Sequence, residues 1–263
     1  MPSSEPLIIS QDGGVLTLSI NDPPINRMTM ACMDAVEMAV QKAARDPSVR
    51  ALVFTAEGQD NFSVGMDLKQ LYAAWGETGR IEAMLDQRLR ILDAIEKLNK
   101  PSIATLFGYC LGGGLELPLA CHFRFAAAKG SKIGLPEMDI GGIPAWGGTA
   151  RLSRCVGRDR ALDMILRARK VDGPEALAMG LVQEVHPLQD LKAAAHELAK
   201  SLAAMPPVAV SGVLRCVVGA EGAPLEVALS EERKAYRLCA ESHDHYEGLR
   251  AFVEKRPPVF TRT

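Results

Sequence analysis

In the N-terminal and central parts of this chain, short β-type apolar runs alternate with stretches of helical apolar spacing. Towards the C-terminus only the helical spacing remains. Leu7-Ile-Ile-Ser10 and Val15-Leu-Thr-Leu-Ser-Ile20 flank Gly13-Gly14, which predicts a hairpin with alternating faces, ended by Asn21-Asp22-Pro23-Pro24. Thr29 is a candidate N-cap for a helix with Met33, Val36 and Val40 on one face, stopped by Asp46-Pro47. Ala51 to Thr55 reads as a buried strand, and Asn61 to Leu68 as strand end, glycine turn and helix start. Residues 81–98 read as an amphipathic helix whose stripe is Ile81, Leu85, Leu89, Leu92 and Ile95. Strands are expected over 102–107 and 123–127, and a helix over 149–156. Beyond the candidate N-cap Asp172, helices are expected over 188–204, 206–219, 224–239 and 243–255. The expected class is α/β: a core over residues 1–200, then a helical oligomerisation region over 201–263.

Composition narrows the function classes. The chain has 263 residues, 48% hydrophobic and 24% charged, which is ordinary for a soluble globular protein. A net charge of −2 leaves no basic footprint for nucleic acid. Six cysteines lie scattered without a C-x-x-C pair, so they read as free thiols of a reducing compartment. The apolar region from Ile103 to Cys121 is interrupted by Gly108, Gly112, Gly113, Gly114 and Glu116, and is no membrane span. The N-terminus lacks a signal-peptide pattern, so a cytoplasmic protein is expected. His243-Asp244-His245 has no third ligand at recognisable spacing; no metal site is expected.

Candidate chemistry centres on Leu106 to Leu117, where a strand runs into Gly112-Gly113-Gly114 and a helix start carrying Glu116. Glycines at such a junction let backbone approach a ligand, and the first N–H groups of a helix are unpaired and favour negative charge. The Gly113 N–H is thus placed to hold a developing oxyanion, with Glu116 about one turn on as an acid/base. Triple glycines also serve close helix–sheet packing, so this stretch alone leaves both uses open. A second glycine turn, Phe62-Ser63-Val64-Gly65-Met66-Asp67, resembles the G-x-S-x-G elbow only in part, because Asn61 replaces the first glycine and no histidine sits in a triad context. The Met66 N–H as a second oxyanion donor is the better reading. Pro136 fixes the backbone before another carboxylate, Glu137, and Gly141 to Thr149 is a long glycine-rich turn. Neither fits a dinucleotide fingerprint or P-loop.

Together these pieces resemble the crotonase (enoyl-CoA hydratase/isomerase) superfamily over nearly the whole chain. The match runs from Asn26 through Phe62–Leu68, Gly112-Gly-Gly-Leu-Glu116, Leu135-Pro-Glu137 and Gly141–Thr149 to Ala251–Pro257. The resemblance implies a spiral of ββα units with a C-terminal helical region, assembled as a homotrimer or dimer of trimers. It implies an acyl-CoA thioester as substrate, no cofactor beyond that CoA, and an enolate held by the N–H groups of Met66 and Gly113. Glutamates at both 116 and 137 match the hydratases, with Glu116 activating water and Glu137 supplying a proton to Cα; the reverse split stays open. Isomerisation through Glu137, or hydration of a branched or cyclic acyl group, is the alternative. Asn26, Arg27, Asp67, Leu68, Trp146, Phe252 and Lys255 fall where the family binds substrate or CoA. Arg27 and Trp146 depart from its usual small residues, Ala145 in place of an acid argues against dienoyl isomerisation, and Pro118 falls two residues after Glu116.

Overall fold

The computed structural model describes residues 5–261. Strands β1 (Leu7–Asp12) and β2 (Val15–Ile20) form the expected hairpin, followed by α1 (Met30–Arg45) and β3 (Ala51–Ala56). Helices α2 (Leu68–Ala74) and α3 (Arg80–Glu96) precede β4 (Ser102–Leu106), β5 (Tyr109–Leu111), α4 (Gly113–Ala120), β6 (Phe123–Ala127) and β7 (Lys132–Gly134). A 3-10 turn, Glu137–Ile140, leads to α5 (Gly148–Val156), α6 (Arg158–Leu166), α7 (Gly173–Ala178) and β8 (Glu184–His186). The chain ends in α8 (Leu188–Ala203), α9 (Pro207–Val217), α10 (Leu225–Ala240) and α11 (His243–Glu254).

The main sheet has the order β1-β2-β3-β4-β6-β8, antiparallel only at the first pair; β5 and β7 form a separate parallel pair. In a parallel sheet each crossover delivers its loop to the carboxyl ends of the strands, where sites assemble. Residues 57–67 leave β3 there, and Gly108 leaves β4. Bridges Ser63↔Cys110 and Met28↔Met66 then tie the two glycine turns into one wall.

Local chemistry sets the boundaries. Thr29 caps α1 by accepting from the Cys32 N–H, and Asp172 caps α7 by accepting from the Glu175 N–H. Pro118 lies inside α4, which ends two residues later at Ala120.

Two patterns read from the sequence are corrected. The hairpin does not alternate: β2 is nearly all buried, while β1 is exposed beyond Leu7, because β2 sits between β1 and β3 under α1 and α8. The buried face of α3 is Met84, Arg88, Ile91, Leu92 and Ile95, and Leu89 is 42% exposed. The apolar stripe therefore lies rotated from the face that packs, which carries an arginine. Helix α8 packs across β2, β3, β4, β6 and β8. Residue 200, the expected limit of the core, lies inside this helix, which ends at Ala203.

All six cysteines are free thiols, with Cys32, Cys110 and Cys121 buried. Asp244 is buried and accepts from the Thr261 N–H at 2.7 Å. No helix among the described residues is long and apolar enough to cross a membrane.

Candidate active site

The two glycine turns meet at the wall of a cavity of about 730 Å3. Gly65 (φ +91°) and Gly112 (φ +55°) hold left-handed conformations that favour glycine. Contact enforces the choice at Gly65, where a Cβ would lie 2.6 Å from the Leu111 carbonyl oxygen and 3.3 Å from the Gly113 nitrogen. The Ser63 hydroxyl braces this turn, donating to the Asn26 carbonyl at 2.6 Å and accepting from the Gly65 N–H at 3.0 Å. No hydrogen bond among the described residues uses the N–H of Met66 or of Gly113. Both residues line the cavity. An unpaired N–H at such a wall is costly to bury and ready for an incoming oxygen.

Glu116 and Glu137 line the same cavity. Glu116 stands in the first turn of α4 and is 2% exposed. Its Oε1 accepts from the Trp146 N–H at 2.8 Å and the Gly148 N–H at 2.9 Å. Burial pushes this carboxyl up to about 7; the two N–H donors pull the other way, and the negative charge of Glu137 adds to the rise. Glu137 opens the 3-10 turn and is half-buried, and burial raises its carboxyl as well. Its Oε2 is buried without a hydrogen-bond partner, and its Oε1 lies 3.0 Å from where a Cβ on Gly112 would stand. A carboxyl raised to about 7 and a second carboxyl with a free oxygen thus face one space. That is the equipment for moving a proton off one atom and onto its neighbour.

Of the other residues singled out in the sequence, Arg27, Asp67, Leu68 and Trp146 line the cavity. Asp67 caps α2, accepting from the Lys69 N–H at 2.9 Å. Arg27 pairs with Asp22 at 2.7 Å and reaches Asp67 at 3.6 Å, so it is braced within the protein. Asn26 is instead fully buried behind the wall, its amide donating to the Glu57 and Asn61 carbonyls at 2.9 and 2.7 Å. It shapes the turn without lining the cavity. Phe252 is 84% exposed, and Lys255 is the left-handed C-cap of α11, beyond its regular turns. Neither lines the cavity of its own chain.

Three features escape the sequence reading. The main-chain N–H groups of Trp146 and Gly148 clamp Glu116; the glycine-rich run 141–149 was the available signal. Arg151 donates to the Trp146 carbonyl at 3.1 Å and to Glu96 Oε2 at 2.6 and 2.9 Å, anchoring that clamp to α3. Arg88 packs its guanidinium over the Trp146 ring, 5.7 Å from the centroid.

A sequence model of the enoyl-CoA hydratase/isomerase family matches residues 10–263. The chain is 34% identical to a Bacillus subtilis protein named "Probable enoyl-CoA hydratase", over 96% of this chain and 97% of that one. It is 32% identical to the Escherichia coli 2,3-dehydroadipyl-CoA hydratase, over 97% and 98%. The crystal structure of the Bacillus anthracis enoyl-CoA hydratase superposes with a TM-score of 0.92 at 30% identity, covering 98% of this chain and 100% of that one. The fold is that of the crotonases, and by sequence match, superposition and full-length coverage the chain belongs to the enoyl-CoA hydratase/isomerase family.

Proposed function

We propose that this protein is an enoyl-CoA hydratase, adding water reversibly across the C2–C3 double bond of a 2-enoyl-CoA. The observation that carries the reading is the pairing of two carboxyls, Glu116 and Glu137, with two unpaired N–H groups, Met66 and Gly113, around one cavity. The thioester oxygen sits between the two N–H groups, which stabilise the enolate that forms as C3 is attacked. Each such donor supplies about 2.7–4 kcal/mol of transition-state stabilisation.

Glu116, ionised, takes a proton from water as the oxygen bonds to C3. Glu137, protonated, gives its proton to C2 as the enolate collapses. The net change is H and OH added across the double bond, with one proton moved between the carboxyls. Their shared field suits this division, since ionising one raises the other.

The acyl group occupies the buried end, and the CoA arm leaves past Leu68, Arg27 and Asp67. CoA arrives as part of the substrate and no further cofactor is used. Phe252 and Lys255, outside their own cavity, meet the CoA of a neighbouring copy in a homotrimer or dimer of trimers. The region 201–263, whose helices expose Val213, Val217, Leu229, Leu238 and Leu249, makes the subunit contacts.

Crotonyl-CoA mixed with the purified protein tests the reading. Loss of the conjugated-thioester absorbance, with a product heavier by one water, is expected, and Glu116→Gln or Glu137→Gln should each slow it about 10²–10⁴-fold. No water adduct, or full turnover in either folded variant, would refute it.

A further inference from the structure

We infer that Trp146, backed by Arg88, is the stop that limits the length of the acyl group this site accepts. The inference rests on the acyl-CoA reading above and concerns the far end of the same cavity.

The cavity has an open and a closed end. Leu68, Ile140 and Ile143 are exposed lining residues at the mouth. Glu116, Met84 and Trp146 are buried lining residues, Trp146 being 4% exposed. With the thioester oxygen at Gly113 and the reacting carbons beside Glu116, the acyl chain must continue into this closed end. The indole stands there. Three of its six-membered-ring carbons lie 2.3–2.9 Å from the point where a Cβ on Gly113 would be, so the ring rests directly against the Gly113 backbone. The main-chain N–H of Trp146 donates to Glu116 Oε1 at 2.8 Å, which fixes the backbone that carries the ring.

The wall is two layers deep. Arg88 lies on the face of α3 that carries Met84 and Leu85, both cavity-lining, because positions three and four apart share a helix face. It is 1% exposed, and its Nε and Nη2 have no hydrogen-bond partner among the described residues. Its Nη1 donates to Gln87, and the charges of Asp34 and Glu37 of α1 offset its burial in part. A cation held over an aromatic face fixes the ring. A long alkyl tail that displaced the indole would meet unpaired guanidinium donors in place of an apolar channel. Such a contact cannot repay their desolvation, so the second layer discriminates against long chains as well. The outcome is a pocket for short acyl groups, set by one ring and enforced by one buried charge.

The test measures kcat/KM for trans-2-enoyl-CoA esters of four, six, eight and ten carbons. In parallel, calorimetry measures the binding of butyryl- and octanoyl-CoA, which requires no turnover. The proteins are the wild type, Trp146→Ala, and Trp146→Ala with Arg88→Met, each checked for folding by circular dichroism. Wild type should favour four carbons over eight by about tenfold or more, the discrimination typical of methylenes a pocket cannot hold. Trp146→Ala should shrink that ratio, and the double variant should shrink it further. A wild-type profile that is flat or rises with length overturns the inference, whether or not the variants fold. So does an unchanged ratio in a folded Trp146→Ala. If no ester is hydrated yet butyryl-CoA binds more tightly than octanoyl-CoA, the stop stands and the hydratase reading falls.

Discussion

Replacing Glu116 by glutamine separates what its carboxylate does for the reaction from what its burial costs the fold. Burial lifts this group from an ordinary 4.5 to about 7, against the pull of the Gly148 and Trp146 N–H groups. Between those values the folded protein keeps a proton that the unfolded chain has already released. Stability carried by Glu116 is therefore greatest below pH 4.5, falls as pH rises towards 7, and is level above it. The whole displacement is worth about 3 kcal/mol. Glutamine has no proton to lose and keeps an oxygen for the two N–H donors. The variant should gain about 1 kcal/mol over wild type at pH 5 and about 3 kcal/mol at pH 8. Urea unfolding at both pH values, at matched protein concentration because association would shift the midpoints, reads this difference directly. Turnover should fall while stability rises, the usual exchange at an active site. An equal gain at both pH values, or a variant less stable at pH 8, would show that burial does not set the state of Glu116.

Two further substitutions probe the supporting residues. Ser63→Ala removes hydrogen bonds to the Asn26 carbonyl and from the Gly65 N–H. It should cost about 1–3 kcal/mol of stability yet retain measurable hydration; abolished turnover in a folded variant, or labelling of Ser63 by a serine-directed probe, would restore the nucleophile reading. Arg151→Met removes the anchor of the Trp146 carbonyl and strands Glu96, a pair whose side chains are only 11% and 21% exposed. A loss of about 3–5 kcal/mol is expected, with kcat falling more than KM rises. The pH profile should also move upward, because Arg151's charge favours ionised Glu116; an unmoved profile would confine Arg151 to a structural role.

The sequence by itself marked most of the elements and the candidate groups. Apolar spacing marked α1, α3 and the helices after Asp172, and glycine turns ahead of helix starts marked Met66 and Gly113 as candidate donors. These properties are local: spacing, capping and φ preferences act over a few residues. What surrounds each group was decided only by the tertiary structure. Asn26 looked like a ligand-facing polar residue until its amide was found bonded to the Glu57 and Asn61 carbonyls. Trp146 was expected among the substrate-binding residues, and only the fold shows that its main-chain N–H bonds the Glu116 carboxylate while its ring lies against Gly113. Arg88 lay outside the apolar stripe of α3, and the fold buried it all the same. Such facts join residues 30 or more positions apart, where no local pattern reaches. Proton affinity follows them, because desolvation and neighbouring dipoles depend on what the whole chain brings around a side chain.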